Sequence, residues 1–411
     1  MKKILFFIYL INFSHFYMAD ENFQELSLDH AVYRALIQSL ELKIADDNVN
    51  ADRNLVRQAR LMPNPSLYYE VEDWGGNNQW KGWDNRGERY FYSQLFETAN
   101  KRILRTETAK FQFYASLVGY DVVKLILLNR LTKAFISVAA AQEMLKLTQD
   151  QASIAKKMLN IATKKVEAGK VSYIEQNKAQ VAYSASIVSL QRAETNFKNS
   201  KKKLSILWSE SYPDFEKVLF SFYDIISPDP FEKCLTDLSN QVEVVQSLYT
   251  YLNAKKNWKL QKANAVPDVT LQVGYKANYR EKNQGLLAGI SFPIPLFNRN
   301  QGNIGKAYYD MLKTGDQGKQ LWLILETRLS IFYEELEQSY KEAREIKNSA
   351  LPAAFKAFEL AQIGYREGKF EYLEVLDAQR TLFDVRDRYI QVLSNYHSRR
   401  ADIDYINSQT D

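Results

Sequence analysis

Two stretches of this chain are near-copies: VEAGKVSYIEQNKAQ at 166–180 and YREGKFEYLEVLDAQ at 365–379. They coincide at Gly169/Gly368, Lys170/Lys369, Tyr173/Tyr372, Glu175/Glu374, Ala179/Ala378 and Gln180/Gln379. A spacing of about 200 residues is too long for a solenoid unit, so the chain reads as two structural copies of one half.

The punctuation supports that reading. Residues 28–62 carry a helical pattern that Pro63 stops, and 231–265 carry another that Pro267 stops. Ala59, Pro63 and Leu67 match Ala263, Pro267 and Leu271, while Phe96 and Ile103 match Phe297 and Ile304. After each proline the period changes to two. The extended stretches are about 66–74 and 89–96 in one half, and about 268–279 and 285–296 in the other. Long helical patterns follow over about 99–168 and 303–367, with apolar residues such as Leu147, Ile154, Met158 and Ile161 at helical spacing. Gly169-Lys170 and Gly368-Lys369 break them, and short helices resume over about 172–208 and 371–406. Each half is thus short helix, β-hairpin, long helix, short helix. Residues 20–210 form the first, 211–230 a proline-bearing linker, and 231–411 the second. Gly315 and Gly318 predict a local break in the second long helix, and Pro352 predicts a kink.

At its start the chain has Lys2 and Lys3, an apolar run from Ile4 to Phe13, and Ala19-Asp20. This is the pattern of an export signal over 1–19; a short membrane anchor is the alternative. The one cysteine, Cys234, excludes a disulfide framework within one copy. Lys+Arg total 54 against 49 Asp+Glu, which is the balance of solvated helix faces and not of a nucleic-acid binder. No apolar run after the signal is long enough to span a bilayer; 122–141 is interrupted by Lys124, Arg130 and Lys133.

Lengths constrain the assembly. A helix of about 65–70 residues reaches on the order of 100 Å, and two of about 35 laid end to end match it. The chain therefore builds a helical wall with strands at one end and Gly-Lys turns at the other. The strands are long enough to cross a membrane when tilted. Val269, Leu271, Val273 and Tyr275, with Leu286, Ala288, Ile290 and Phe292, suit a lipid face; Thr270, Gln272, Gly274, Gly289 and Ser291 suit a wet lumen. Four strands cannot close a barrel, and an open edge in lipid leaves backbone groups unpaired. Strands shared among copies, about eight for a dimer or twelve for a trimer, solve this. Two soluble hairpins packed on helices fit the same alternation.

These stretches carry a family resemblance over essentially the whole mature chain. Gly368-Lys-Phe-Glu-Tyr-Leu373-Glu-Val-Leu-Asp-Ala378-Gln379, its weaker copy at 169–180, Gln94-Leu95-Phe96-Glu97 with Lys101-Arg102, and Phe292-Pro-Ile-Pro-Leu-Phe-Asn-Arg-Asn-Gln-Gly-Asn303 resemble the TolC-type outer-membrane efflux proteins. The last stretch is most like the heavy-metal cation branch. The resemblance implies a mainly α chain with a β-barrel portion: a homotrimer with a twelve-stranded outer-membrane barrel continuous with a long helical periplasmic tunnel. It implies outer-membrane lipid, a periplasmic adaptor and an inner-membrane pump of the RND type as partners, and a passive exit duct for metal cations or small toxic molecules. The outer-membrane component of a type I protein secretion system and a soluble periplasmic helical scaffold are the rival readings.

By the same resemblance, Gly169, Lys170, Val171, Gly368, Lys369 and Phe370 are expected at tips that meet the adaptor. Phe370 is equally compatible with a side chain tucked between helices. Glu374 and Asp377 share a helix face and align with an acidic ring at the tunnel entrance of some family members; an ordinary solvated face is the alternative. Tyr365 and Arg366 are candidates for links that hold the entrance shut. Trp74, Trp80 and Trp83 suit an interfacial belt or a cover on the barrel mouth. His15 lies in the signal, and His30 and His397 are far apart, with no zinc spacing, nucleophile elbow or phosphate loop nearby. No catalytic residue, cofactor or resident metal is expected.

Overall fold

The computed structural model describes residues 25–234 and 240–407. The expected signal segment, 1–19, lies outside them. In chain order the elements are β1 Glu25–Ser27, α1 Leu28–Gln38, α2 Leu40–Arg60, β2 Ser66–Glu72, β3 Gly87–Phe96, α3 Lys101–Glu167, α4 Tyr173–Ser205, β4 Lys217–Leu219, α5 Phe231–Cys234, α6 Val242–Ala263, β5 Val269–Asn278, β6 Asn283–Ser291, α7 Gln301–Glu345, a π turn Ile346–Ala350, α8 Leu351–Glu367 and α9 Tyr372–Ile406. The sequence α2–β2–β3–α3–α4 and the sequence α6–β5–β6–α7/α8–α9 follow the same order. With 67 residues, α3 extends about 100 Å at 1.5 Å per residue. No helix among the described residues is long and apolar enough to cross a membrane.

The strands form one antiparallel sheet ordered β2-β3-β5-β6, so the two hairpins join at a β3·β5 seam. Tyr69 faces Tyr90, Tyr90 faces Tyr275 and Tyr275 faces Leu286, and a second row runs Leu67, Tyr92, Val273, Ala288. This face is apolar and open, with Leu67 81 % and Leu286 90 % exposed. The opposite face carries Tyr68, Glu70, Phe91, Gln272, Gly274 and Gly289. A Cβ at Gly274 would lie 2.4 Å from the Tyr90 carbonyl and 2.5 Å from Phe91 Cβ, so only glycine fits there.

Both long helices start from a left-handed asparagine: Asn100 (φ 58°) before α3 and Asn300 (φ 61°) before α7. The sheet is pinned to the helices where Lys101 Nζ meets Asp268 Oδ1 at 2.6 Å and the Val266 carbonyl at 2.6 Å.

Below the sheet, a core around Phe135, Leu131, Trp208 and Leu393 joins both halves. The linker straps over it. Gln142 clamps one backbone unit of β4, accepting from Val218 N (3.0 Å) and donating to Val218 O (3.4 Å). Tyr396 Oη likewise bonds both N–H and carbonyl of Ile226, and His397 Nε2 lies 2.9 Å from the Phe222 carbonyl. β4 also pairs in parallel with β1, a pairing that sequence patterning missed.

Several elements differ from the sequence reading. The helix expected over 28–62 is two, broken at Ser39, where Leu40 N donates to Ser209 Oγ at 3.0 Å. The stretch 231–265 yields α5 and α6 in place of one helix. No break occurs at Gly315 or Gly318: α7 runs through both. A Cβ at those sites would make ordinary contacts, 3.6 Å from Tyr251 and 3.5 Å from Ser247, so the packing of α6 does not itself demand glycine there. Pro352 stands in the first turn of α8, directly after the π turn. A wider turn takes up the backbone mismatch that a proline without an N–H creates.

Candidate functional site

The far ends of the long helices form two adjacent hairpin tips. In the first, Gly169 (φ 67°) donates to Val166 O at 2.8 Å and Lys170 N donates to Lys165 O at 2.9 Å. Ser172 then caps α4 by accepting from Ile174 N. In the second, Gly368 (φ 80°) donates to Tyr365 O at 3.2 Å and Lys369 N to Gly364 O at 2.8 Å. Both are left-handed glycine helix ends, which return the chain tightly and satisfy the last carbonyls.

A core of Met158, Ala162, Ala179, Phe358, Val375 and Leu376 packs the two tips together. Tyr365 sits in it, 1 % exposed. The Lys165 ammonium lies 3.8 Å from the centre of its ring and also donates to its carbonyl oxygen. On the other side the Tyr365 hydroxyl donates to Glu175 Oε2 at 3.2 Å. Burial, and then the Glu175 carboxylate, push the Tyr365 phenol well above its usual range, so it stays a donor at any physiological pH. Tyr372, with its ring 5.6 Å from Tyr365, is also 1 % exposed, and burial pushes its phenol up to about 12. Its hydroxyl has no hydrogen-bond partner among the described residues.

Each expected site residue has a definite place. Gly169 and Gly368 reverse the chain, Lys170 and Lys369 are exposed, and Val171 is half-buried. Lys369 pairs with Glu367 at 2.7 Å. Phe370 settles between the two expectations: half exposed, it lays its ring over Gly364, where a Cβ would come 2.1 Å from Cδ2. Glu374 and Asp377 are both exposed on α9, and neither has an ion pair among the described residues. Tyr365 is brought into contact with the first tip, but Arg366 is exposed and stays outside that contact.

Sequence reasoning did not find Lys165 or Gly364. They occupy the same place before the two tip glycines, and their divergence was the available signal. One reaches across to Tyr365; the other makes room for Phe370. It also passed over the exposed apolar group Tyr173, Ile174 and Leu373. No cluster of His, Cys, Asp and Glu suited to a metal ion occurs among the described residues.

The outer membrane efflux protein family model matches residues 31–209 and 239–406. The cobalt-zinc-cadmium resistance protein CzcC of Cupriavidus metallidurans is 29 % identical over 93 % of this chain and 90 % of its own length. In fold, the chain resembles the outer membrane protein VceC of Vibrio cholerae (TM-score 0.76, 17 % identity, 93 % and 97 % of the two chains). It likewise resembles the CmeC outer membrane channel of Campylobacter jejuni (TM-score 0.80, 15 % identity, 92 % and 85 %).

Proposed function

We infer, because this chain belongs to the outer membrane efflux protein family, that it is the exit-duct subunit of a tripartite efflux system. It is a passive outer-membrane channel that extends into the periplasm, and not an enzyme. The architecture is two copies of one half, each short helix, hairpin, long helix, short helix. Three chains close into a twelve-stranded barrel above one helical tunnel. The observation that carries this reading is the sheet order β2-β3-β5-β6, which leaves β2 and β6 as free edges of a sheet whose outer face is mostly apolar. Free edges are not tolerated in lipid, and a ring of copies removes them.

The tips are the periplasmic entrance. Gly169, Lys170, Val171, Gly368, Lys369 and Phe370, joined by the exposed Tyr173, Ile174 and Leu373, form the surface offered to a periplasmic adaptor. The adaptor couples the duct to an inner-membrane pump of the RND type. Tyr365, tied to Lys165 and Glu175, holds the second hairpin against the first. Opening the entrance requires that tie to yield. Arg366 stands free at the same level for contacts across the entrance. In a trimer Glu374 and Asp377 bring carboxylates together around the mouth, where they concentrate cations. Likeness to the cobalt-zinc-cadmium resistance protein favours divalent metal cations as cargo.

The test has two parts. Outer-membrane extracts should contain the protein as a trimer that only heating in detergent dissociates, and deleting its gene should lower tolerance to zinc, cobalt and cadmium until the gene is restored. A monomer in those extracts defeats the ring, and unchanged metal tolerance defeats the cargo.

A further inference from the structure

We propose that neighbouring copies join β6 to β2 in one fixed register, with Ile290 opposite Tyr69 of the next copy, and that the β3·β5 seam inside the chain is the template for it. This deepens the trimer reading and rests on it.

The derivation uses only registers within the chain. Ser66 faces Ser93 in the first hairpin, and Thr270 faces Ser291 in the second. Leu67 and Leu271 hold equivalent places after their prolines. Laying Ser66 on Thr270 therefore lays Ser93 on Ser291, Tyr92 on Ile290 and Phe91 on Gly289. At the internal seam, Tyr92 faces Val273 and Phe91 faces Gly274. Replacing each residue by its equivalent gives the seam between copies: Ile290 opposite Tyr69, Gly289 opposite Glu70, and Ala288 opposite Val71.

Two observations support this register. Side chains partition correctly: Ile290 with Tyr69 and Ala288 with Val71 continue the apolar face, while Gly289 with Glu70 continues the polar one. A slip of one residue would set Ile290 against Glu70 or Tyr68 and break the continuity of both faces. The inward rung carries one glycine at either seam, on β5 opposite Phe91 inside the chain and on β6 opposite Glu70 between chains. At the internal seam that glycine is obligatory, because nothing larger fits beside Phe91.

Paired cysteines test the register. In a Cys234→Ser background, Tyr69→Cys with Ile290→Cys, and Tyr68→Cys with Ser291→Cys, sample adjacent rungs, one of which has the closer Cα spacing of a non-hydrogen-bonded pair. Leu67→Cys or Val71→Cys with Ile290→Cys sample the slips of two residues that preserve the faces. Within one copy the two cysteines are three strands apart, roughly 14 Å, beyond disulfide reach, so any bond joins two copies. Oxidation of assembled protein in outer membranes should give covalent dimers and trimers for at least one in-register pair, about tenfold above either slipped pair. The register is overturned by stronger bonding of a slipped pair, or by none at either in-register rung in protein whose native mass is that of a trimer. A monomer by native mass overturns the ring, and this seam with it.

Discussion

Lys165 and Tyr365 are joined twice: the ammonium lies 3.8 Å from the centre of the tyrosine ring and donates to the tyrosine's own carbonyl. The contact spans the two halves, since Lys165 ends α3 and Tyr365 ends α8. Glu175 completes it from the start of α4 by accepting from the phenol. One aromatic side chain thus gathers polar ties between the tips, within the apolar core that packs them together.

Tyr365→Phe keeps the ring and the lysine contact and removes only the bond to Glu175. A hydrogen bond to a charged group contributes about 1.5–3 kcal/mol. Its loss shifts a closed-to-open equilibrium by roughly ten- to a hundredfold. Planar-bilayer recordings should show a larger open probability, with Lys165→Met at least as open because it removes the cation and the carbonyl bond together. Closed-state conductance equal to wild type in both variants would remove the gate role.

Sequence patterning placed four strands close to where they occur, because a period of two is local, but the last strand ends at Ser291 and not near 296, which leaves Phe292 outside it. The Gly169 and Gly368 turns were equally plain. What it missed depends on partners far along the chain. The break at Ser39 is held by the Ser209 hydroxyl, and α7 runs unbroken through Gly315 and Gly318, where composition suggested rupture, because packing along α6 outweighs a helix cost of about 1 kcal/mol per glycine. The Gln142 clamp on Val218 is invisible to any periodicity. In the site, Tyr365 was singled out, but its partner Lys165 was not, since nothing local links residues two hundred positions apart.

Gly364→Ala separates the shape of the second tip from its stability. The added methyl collides with the Phe370 ring, which is at the surface and free to swing out. Alanine is favoured over glycine within a helix by about 1 kcal/mol. Thermal unfolding should therefore be unchanged or raised, while recovery of a periplasmic adaptor with the protein from cross-linked host envelopes should fall as it does for Phe370→Ala. Equal adaptor recovery in both variants would show that the seated ring is not part of that contact.

His397 links stability to pH through the linker strap. Burial holds its imidazole below the ordinary value of 6.5, although the Phe222 carbonyl and Asp224 pull the other way and Arg400 adds to the lowering. The unfolded chain thus takes up the proton first. Stability is full above pH 6.5 and declines as pH falls below it, by at most about 1.4 kcal/mol per pH unit. His30 shifts in the same sense, and its partial exposure makes its share smaller. Unfolding temperatures measured from pH 7.5 to 5 should fall less steeply for His397→Gln, which retains a donor for Phe222 O. Parallel profiles would assign the acid sensitivity elsewhere.

Glu374 and Asp377 stand on the open face of α9, and at the equivalent places α4 carries Glu175 and Lys178. Glu175 is engaged with Tyr365, so of these four places only Glu374 and Asp377 hold uncommitted carboxylates among the described residues. If they ring the entrance, Glu374→Gln with Asp377→Asn should move the reversal potential in a potassium chloride gradient toward zero. Lys178→Asp should move it further to the cation-selective side. Both effects should fade near 1 M salt, where the screening length is about 3 Å, and be largest near 0.01 M, where it is about 30 Å. Reversal potentials that coincide for all three proteins at low salt would leave these carboxylates as an ordinary solvated face.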